Sequence, residues 1–403
     1  MQKAKKILHS IDKYLAIGFD VDHCLVRYNL PETFRIIYKS VGQILVNEKG
    51  YPKNILEFGK RERCFIMNGL VFDFKTGYFF KLGQNKEILR AYYGFSPVPS
   101  QELEKKFGNP PIYEKFDPYK TQTKEYLCTL TFFECYLPAL FAHMIESKKK
   151  SSNTSDINIQ ELLQDIGHAL TVKYTHYSGD VHHPTKVYGY YFKEAVENIE
   201  KITYKQERMK KILMSLRAKG KILFLASNSH FEYINVLMSY TFGPEWKEIF
   251  HFIIPNANKP GFFSAKDRVF KEIDETSNTK FGAEVTKLEP HKMYSDGNAF
   301  ILEENIRRLA NDKTGRILFF GDNYSTDALA AETLEDWDSV CIMEELGDVD
   351  FGDGYDQSYW GHWQYEDTPK GRVPTFWYDF MSKNVAMCTS LVDSIEMAQF
   401  YGE

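Results

Sequence analysis

The sequence predicts an α/β fold: a doubly wound, Rossmann-like parallel sheet interrupted by a long insertion. Three observations carry this. Short apolar runs at residues 15–19, 222–226 and 317–320 read as buried strands. Each is followed at once by polar groups: Asp20, Ser227 and Gly321-Asp322. From Glu207 onward strand-like and helix-like runs alternate, and parallel strands joined by helices wind a sheet covered on both faces.

Residues 15–19 are apolar up to Asp20 and form the first strand. Asn29-Leu-Pro-Glu32 reads as a turn, and 33–48 carries Phe34, Ile37, Val41 and Leu45 at helical spacing. Residues 70–82 read as a hairpin, with Lys75-Thr-Gly77 between two apolar runs. Residues 84–205 lack the βα rhythm and are rich in helix candidates, among them 132–147 and 157–172. The polar run 148–155 between these two reads as a solvated loop.

The rhythm returns with a helix over 207–219, which puts Met209, Ile212, Leu213 and Leu216 on one face before Gly220. There follow a strand (222–226), a helix (230–240), a strand (251–255), a helix (298–311), a strand (316–320) and a last apolar run (339–344). Residues 347–403 form an aromatic-rich tail, with Tyr359, Trp360, Trp363, Phe376, Trp377 and Tyr378, closing on a helix over 384–400. Its aromatics are expected to cover the core; a homo-oligomer contact is the alternative. The expected division is a core of residues 1–50 and 206–346, an inserted hairpin and mainly helical cap over 51–205, and an extension over 347–403.

Of the 403 residues 43% are apolar and 15% aromatic, enough for a packed core, and the net charge of −5 favours no nucleic acid partner. The six cysteines are scattered, with no CxxC and no zinc spacing, which points to a reducing, cytoplasmic compartment. Lysines followed by apolar residues at the start resemble a signal peptide, but Asp12 and Lys13 interrupt the run. No run approaches the roughly 20 apolar residues of a membrane span.

In an open α/β sheet, ligands bind beyond the carboxyl ends of the strands. Asp20, Asp22, Ser227, Asn228, Lys259, Asp322 and Asp327 can therefore converge at one edge, a set suited to a phosphoryl group on a divalent cation. Asp20 and Asp22, on one side of an extended segment, repel each other unless a cation compensates. Mg²⁺ is the natural choice, because it prefers hard oxygen ligands. One carboxylate could attack phosphorus while the other protonates the leaving oxygen and then activates water. Ser227 and Asn228 would offer a hydroxyl and N–H groups to phosphate oxygens, and Lys259 a positive charge for the transition state. Asp322 would complete a metal shell, and Asp327 would orient a metal-bound water or the lysine. Each signal alone is ordinary; Asp322 and Asp327 could equally be an acidic cap on the next helix.

Six stretches carry a resemblance: Gly18-Phe-Asp-Val-Asp22, Gly69-Leu-Val-Phe-Asp73, Phe224-Leu-Ala-Ser-Asn-Ser229, Lys259-Pro-Gly-Phe-Phe263, Tyr294-Ser-Asp-Gly297 and Phe320-Gly-Asp-Asn323. Together they resemble the haloacid-dehalogenase superfamily and, more narrowly, the cytosolic purine 5′-nucleotidase family. Arg27-Tyr-Asn-Leu-Pro-Glu32 and Lys259-Pro-Gly-Phe-Phe263 look like the branch called 5′-nucleotidase domain-containing protein 1. The resemblance covers roughly residues 15–346 and is weak in the insertion. It implies Asp20 as nucleophile, Asp22 as general acid and base, and Ser227 and Lys259 as the hydroxyl and lysine of the second and third motifs. Asp322 and Asp327 would be the acidic pair of the fourth. Mg²⁺ would bind the Asp20 carboxylate, the Asp22 backbone carbonyl and the Asp322 carboxylate. The substrate would be a small phosphate ester, a nucleoside 5′-monophosphate, under a closing cap.

There are departures from the family pattern. Cys24 stands where Thr or Ser is usual, and a thiol is a poor donor. His176-Tyr-Ser-Gly179 is kept, making His176 a candidate substrate contact, but Gly167 and Thr171 fall where an Arg and an Asp would be. A catalytically weak nucleotide- or phosphate-binding regulatory protein on the same fold is the alternative.

Overall fold

Short apolar runs bounded by turns become strands, and seven of them lie parallel in one sheet. The computed structural model describes residues 11–151, 157–175, 190–273, 281–347, 349, 351–369 and 371–392. The first strands in chain order are β1 (Tyr14–Phe19), β2 (Val71–Asp73), β3 (Tyr78–Leu82), β4 (Ile88–Tyr93), β5 (Ser96–Pro97) and β6 (Tyr126–Cys128). Next come β7 (Ile222–Ala226), β8 (Phe252–Ile254), β9 (Phe270–Ile273), β10 (Phe281–Val285) and β11 (Lys292–Asp296). The last are β12 (Arg316–Gly321), β13 (Trp337–Ile342), β14 (Tyr365–Thr368), β15 (Gly371–Pro374) and β16 (Met387–Thr389).

The main sheet runs β10-β9-β11-β8-β7-β1-β12-β13-β16, with β9 and β10 antiparallel at one edge. The chain lays β7, β8 and β11 outward on one side of β1, then crosses back to lay β12, β13 and β16 on the other. This reversal opens a crevice at the carboxyl end of β1, where open α/β sheets bind ligands. Side chains alternate between the two faces. Ile17, Phe19, Leu223, Leu225, Leu318 and Phe320 enter one core, while Ala16, Phe224, Ala226, Ile317 and Phe319 enter the other. All are buried, as the central strands of a parallel sheet require.

The helix Ala299–Ala310 starts where Asn298 accepts the Ile301 N–H at 2.9 Å and ends at Asn311, whose φ of 51° suits an αL cap. The helix Leu30–Lys49 packs on the helices Ile159–Thr175 and Tyr190–Glu197.

A second, antiparallel sheet, β5-β4-β3-β2-β6, extends the expected hairpin. Residues 84–205 thus contain strands as well as helices; β5 and β6 were missed because they are short and lie among turns, and β4 because its Ile-Leu-Arg-Ala-Tyr-Tyr run does not alternate. The expected helix over 132–147 begins at Leu137, since Pro138 lacks an N–H and fits only a first turn. Its end also differs. Lys148, Lys149 and Lys150 continue the helix to Ser151 rather than opening a loop, with Lys148 2.5 Å from Glu161. Cations are favoured at a helix C-terminus. The rest of that expected loop, 152–156, lies outside the described residues.

The tail departs further from expectation. A helix spans Phe376–Asn384, and β16 then pairs with β13, so no helix runs through 387–389. The edge of β13 has backbone groups to satisfy, and a short extended segment does so. Residues from 393 on lie outside the described part. Trp360, Trp363, Phe376 and Trp377 are buried, Tyr359 is half-buried and Tyr378 is exposed. The indole N–H groups of Trp360 and Trp363 donate to Phe65 O at 3.0 Å and Asn68 O at 3.2 Å. Among the described residues no helix is long and apolar enough to cross a membrane.

Candidate active site

Asp20 is the first residue beyond β1, and its N–H extends the strand ladder to Phe320 O at 2.8 Å. The chain then turns: Val26 N–H reaches back to Val21 O at 2.8 Å. Asp20 and Asp22 therefore do not share one extended edge, contrary to the local reading. Asp22 is held apart, its Oδ1 accepting from the Tyr28 hydroxyl at 2.5 Å and its Oδ2 from Ser229 Oγ at 2.7 Å. Burial, and then the Asp20 charge, push the Asp22 carboxyl above its usual range, while the two hydroxyls act against this. Asp22 is nevertheless only half-buried by surface area, because it opens onto a cavity.

Lys259 is the cation of the site. Its Nζ lies 3.1 Å from Asp20 Oδ2 and 2.7 Å from Asp327 Oδ1. Both contacts are ion pairs outside good hydrogen-bond alignment. Burial alone would lower this ammonium's pKa; the two carboxylates outweigh it, so Lys259 stays charged. Asn228 clasps the Lys259 backbone, accepting its N–H at 2.6 Å and donating to its carbonyl at 3.0 Å. The amide that the sequence reading offered to phosphate is therefore committed to the lysine loop. Ser227 is buried at the end of β7, its Oγ accepting the Ser229 N–H at 3.2 Å.

The last pair of carboxylates follows β12. A Cβ on Gly321 would lie 2.4 Å from Asp327 Cβ, so only glycine permits this approach. The turn Tyr324–Leu329 is π-helical, a form frequent at functional sites. Asn323 caps it, its side chain accepting from Ser325 N–H at 3.1 Å and Thr326 N–H at 3.0 Å. This tight turn brings Asp327 back to the strand end.

One oxygen each from Asp20, Asp322 and Asp327 lies within 4.8 Å of the others. Burial first, and then Asp20 and Asp327, hold the Asp322 carboxyl well above its usual range. Burial also raises Asp327, against the pull of Lys259. Four carboxylates with Asp22 thus face one ammonium. An oxygen-only donor set with this excess of negative charge fits Mg²⁺. Asp327, expected only in support, lies within the same cluster as Asp20 and Asp322.

These groups floor a cavity of about 190 Å³, walled by Thr131, Phe133, Tyr191, Phe192, Tyr233 and Thr326. A larger hollow of about 900 Å³, beside β3 and β4, contains none of them. Cys24 lies under the turn with its Sγ 3.5 Å from Phe320 O. Burial, and then Asp20, hold its thiol well above the ordinary range, so it is neutral and unreactive. His176 lies outside the described residues.

Sequence reasoning missed Tyr28, Ser229 and the aromatic wall. Ser229 could have been found, since it stands two residues beyond Ser227 in Ser-Asn-Ser. Tyr28 and the wall carry no spacing signal, because separate segments meet only on folding.

A family model described as the 5′ nucleotidase family matches residues 8–349. The chain is 32% identical over 343 residues to 5′-nucleotidase domain-containing protein 1 of Bos taurus, covering 83% of this chain and 73% of that protein. The Homo sapiens protein of the same name is 30% identical over 339 residues, covering 82% and 71%. The human 5′-nucleotidase domain-containing protein 2 is 26% identical over 344 residues, covering 82% of this chain and 60% of that protein.

Proposed function

The chain belongs to the 5′-nucleotidase family and is a phosphoric monoester hydrolase; on that premise we propose that it hydrolyses nucleoside 5′-monophosphates through an aspartyl-phosphate on Asp20, using Mg²⁺, in the cytoplasm. The observation that carries this reading is Lys259 held between Asp20 and Asp327 at the end of β1.

Asp20 attacks phosphorus, forming an Oδ–P bond as the ester P–O bond breaks. Asp22 gives its proton to the leaving oxygen, and the nucleoside departs as an alcohol. Asp22 then takes a proton from water as that water attacks phosphorus. The Oδ–P bond breaks, Asp20 is restored and inorganic phosphate leaves. Lys259 balances charge on the transferring phosphoryl oxygens, and the Ser227 hydroxyl donates to one of them. Asn228 keeps the lysine in place. Held by the Asp20 and Asp322 carboxylates and the Asp22 carbonyl, Mg²⁺ would supply further positive charge to the phosphoryl group.

Phe133, Tyr191, Phe192 and Tyr233 offer flat apolar faces to a leaving nucleoside. The cavity is smaller than the roughly 300–1,000 Å³ of pockets for drug-sized ligands. A nucleoside would therefore require the wall to move outward on binding, which small phosphates would not.

The test is phosphate release from mononucleotides and small phosphates, with Mg²⁺ and after chelation, using Asp20→Asn as the blank. Near wild-type turnover by Asp20→Asn sinks the aspartyl-phosphate. If glycerol phosphate exceeds every nucleotide in kcat/KM, the nucleotide reading fails and the phosphatase stands. Absence of turnover on every substrate favours a binding protein on this fold.

A further inference from the structure

We infer that Tyr28 and Ser229 are positioning residues for Asp22, and that Tyr28 ties the catalytic turn to the segment that returns from the insertion. This rests on the reading of Asp22 as the acid and base of the reaction.

Both Asp22 oxygens accept from hydroxyls, Tyr28 at 2.5 Å and Ser229 at 2.7 Å, so the carboxyl group is fixed from two sides. Close by, the hydroxyls of Tyr191 and Tyr233 lie 3.0 Å apart. Tyr28, Tyr233 and Tyr191 are all buried.

Tyr28 is itself anchored. Beside Tyr28 the backbone is tied to the segment that returns from the insertion. Asn29 N–H donates to Ile202 O at 2.8 Å, Tyr204 N–H to Arg27 O at 3.2 Å, and Tyr28 and Thr203 form an antiparallel bridge. The Tyr28 ring is set between His23 and Phe133, with centroids 4.6 and 5.6 Å away. Tyr191, on the helix Tyr190–Glu197, and Tyr233 line the cavity.

Hydroxyls suit this task because each donates a hydrogen bond to a carboxyl oxygen and keeps its own proton. A carboxyl group has about four lone-pair sites, so Tyr28 and Ser229 can hold both Asp22 oxygens while a further site, toward the cavity, carries the proton. Asp22 thus stays in place both when it gives that proton to the ester oxygen, as Oδ–P forms and P–O breaks, and when it takes one from water. Phenylalanine at position 28 removes one of the two hydroxyls that fix it.

The experiment compares two substrates on the Mg²⁺-loaded protein. One is an aryl phosphate whose weakly basic leaving group departs without a proton. The other is an alkyl phosphate whose leaving oxygen requires one. The readout is kcat/KM, which covers steps up to the aspartyl-phosphate. Tyr28→Phe should lower it about tenfold or more for the alkyl ester and less than about threefold for the aryl ester, since general acid catalysis is worth ~10²–10⁴ only where a proton is needed. Ser229→Ala, which removes the hydroxyl from the other Asp22 oxygen, should show the same pattern. Equal losses on both substrates, or no loss on either, would overturn the inference and leave both residues structural. Asp22→Asn distinguishes this failure from that of the underlying reading. If it too lowers both substrates equally, Asp22 is not the acid and both fall. Should Tyr28→Phe fail to fold, Ser229→Ala decides.

Discussion

Two buried lysines serve this molecule in opposite ways, and their surroundings explain why. Lys259, in the crevice at the end of β1, has two carboxylates within 3.1 Å and two more nearby, so its charge is held. Lys81, on β3, lies in the seam where the second sheet meets the C-terminal segment. Its Nζ donates to the carbonyls of Trp360, His362 and Tyr365 at 2.8, 2.8 and 3.2 Å, and to Glu366 at 2.6 Å. Glu366 is shared with Arg90, and burial pulls Lys81 down to about 8. In the seam charges and dipoles are matched within the protein, so Lys81 joins chain segments. In the crevice negative charge is left over, the condition under which a site takes a cation and a phosphoryl group.

The sharpest way to break this contrast is to remove each ammonium. Lys259→Met should lower kcat/KM by about 10³-fold, as loss of a transition-state donor does. Its thermal midpoint in Mg²⁺ should move less than that of Lys81→Met. Lys81→Met should destabilise by about 3 kcal/mol, because a buried pair loses one partner, with kcat/KM kept within about threefold. Thermal unfolding and steady-state rates on the same preparations check both. Comparable rate losses in the two variants would erase the distinction.

Proton linkage sharpens the Lys81 half. Below about 8 the ammonium is present in folded and unfolded chains alike. Between about 8 and its ordinary value of 10.5 only the unfolded chain keeps the proton, so stability should rise with pH across that window. The gain of wild type relative to Lys81→Met should reach roughly 3 kcal/mol, at 1.36 kcal/mol per pH unit. A flat difference in denaturant unfolding from pH 7.5 to 10 would mean that the three carbonyls and Glu366 hold the ammonium at its ordinary value.

On the crevice side, Asn228→Ala should cost about tenfold in kcat/KM, roughly 1.4 kcal/mol, by loosening the loop that carries Lys259. The loss should lie mainly in kcat, since Asn228 touches the lysine backbone and not phosphate. A rise in KM alone would return Asn228 to direct phosphate binding.

The two regions also differ in how legible they were. The crevice is built from residues just past strand ends, and the strands were readable because 15–19, 222–226 and 317–320 are continuous apolar runs. Strand order then brings Asp20, Ser227, Lys259 and Asp322 together. What escaped there was local: the turn after Asp20, which sends Asp22 to Tyr28, and the Asn228 clasp. The seam was hidden altogether. Lys81 sits in Tyr-Phe-Phe-Lys-Leu, where a lysine reads as the exposed position of a strand, and its partners lie some 280 residues away. Pairing of 387–389 with β13 was obscured by helix-like composition, because an edge strand's need for a partner overrides a weak local preference.

The smallest expected effect tests how much strain the crevice tolerates. Cys24 supports the turn that follows Asp20 and carries Asp22, and its thiol points at Phe320 O from 3.5 Å. The same carbonyl accepts the Asp20 N–H at 2.8 Å and has a second lone pair to offer. Threonine would place a hydroxyl where the thiol stands, and a hydroxyl is the stronger donor, while its methyl group stays within the apolar surroundings. Cys24→Thr should therefore leave kcat/KM unchanged or raise it by up to about threefold, a gain of roughly 0.7 kcal/mol at 1.36 kcal/mol per tenfold. The turn carries Asp20 and Asp22 together, so any gain should appear equally on nucleotide and small-phosphate substrates. A loss beyond about tenfold, roughly 1.4 kcal/mol of barrier, would mean that the thiol has a specific role in this crevice. The support beneath the aspartates would then be as closely matched to its neighbours as Lys81 is in the seam.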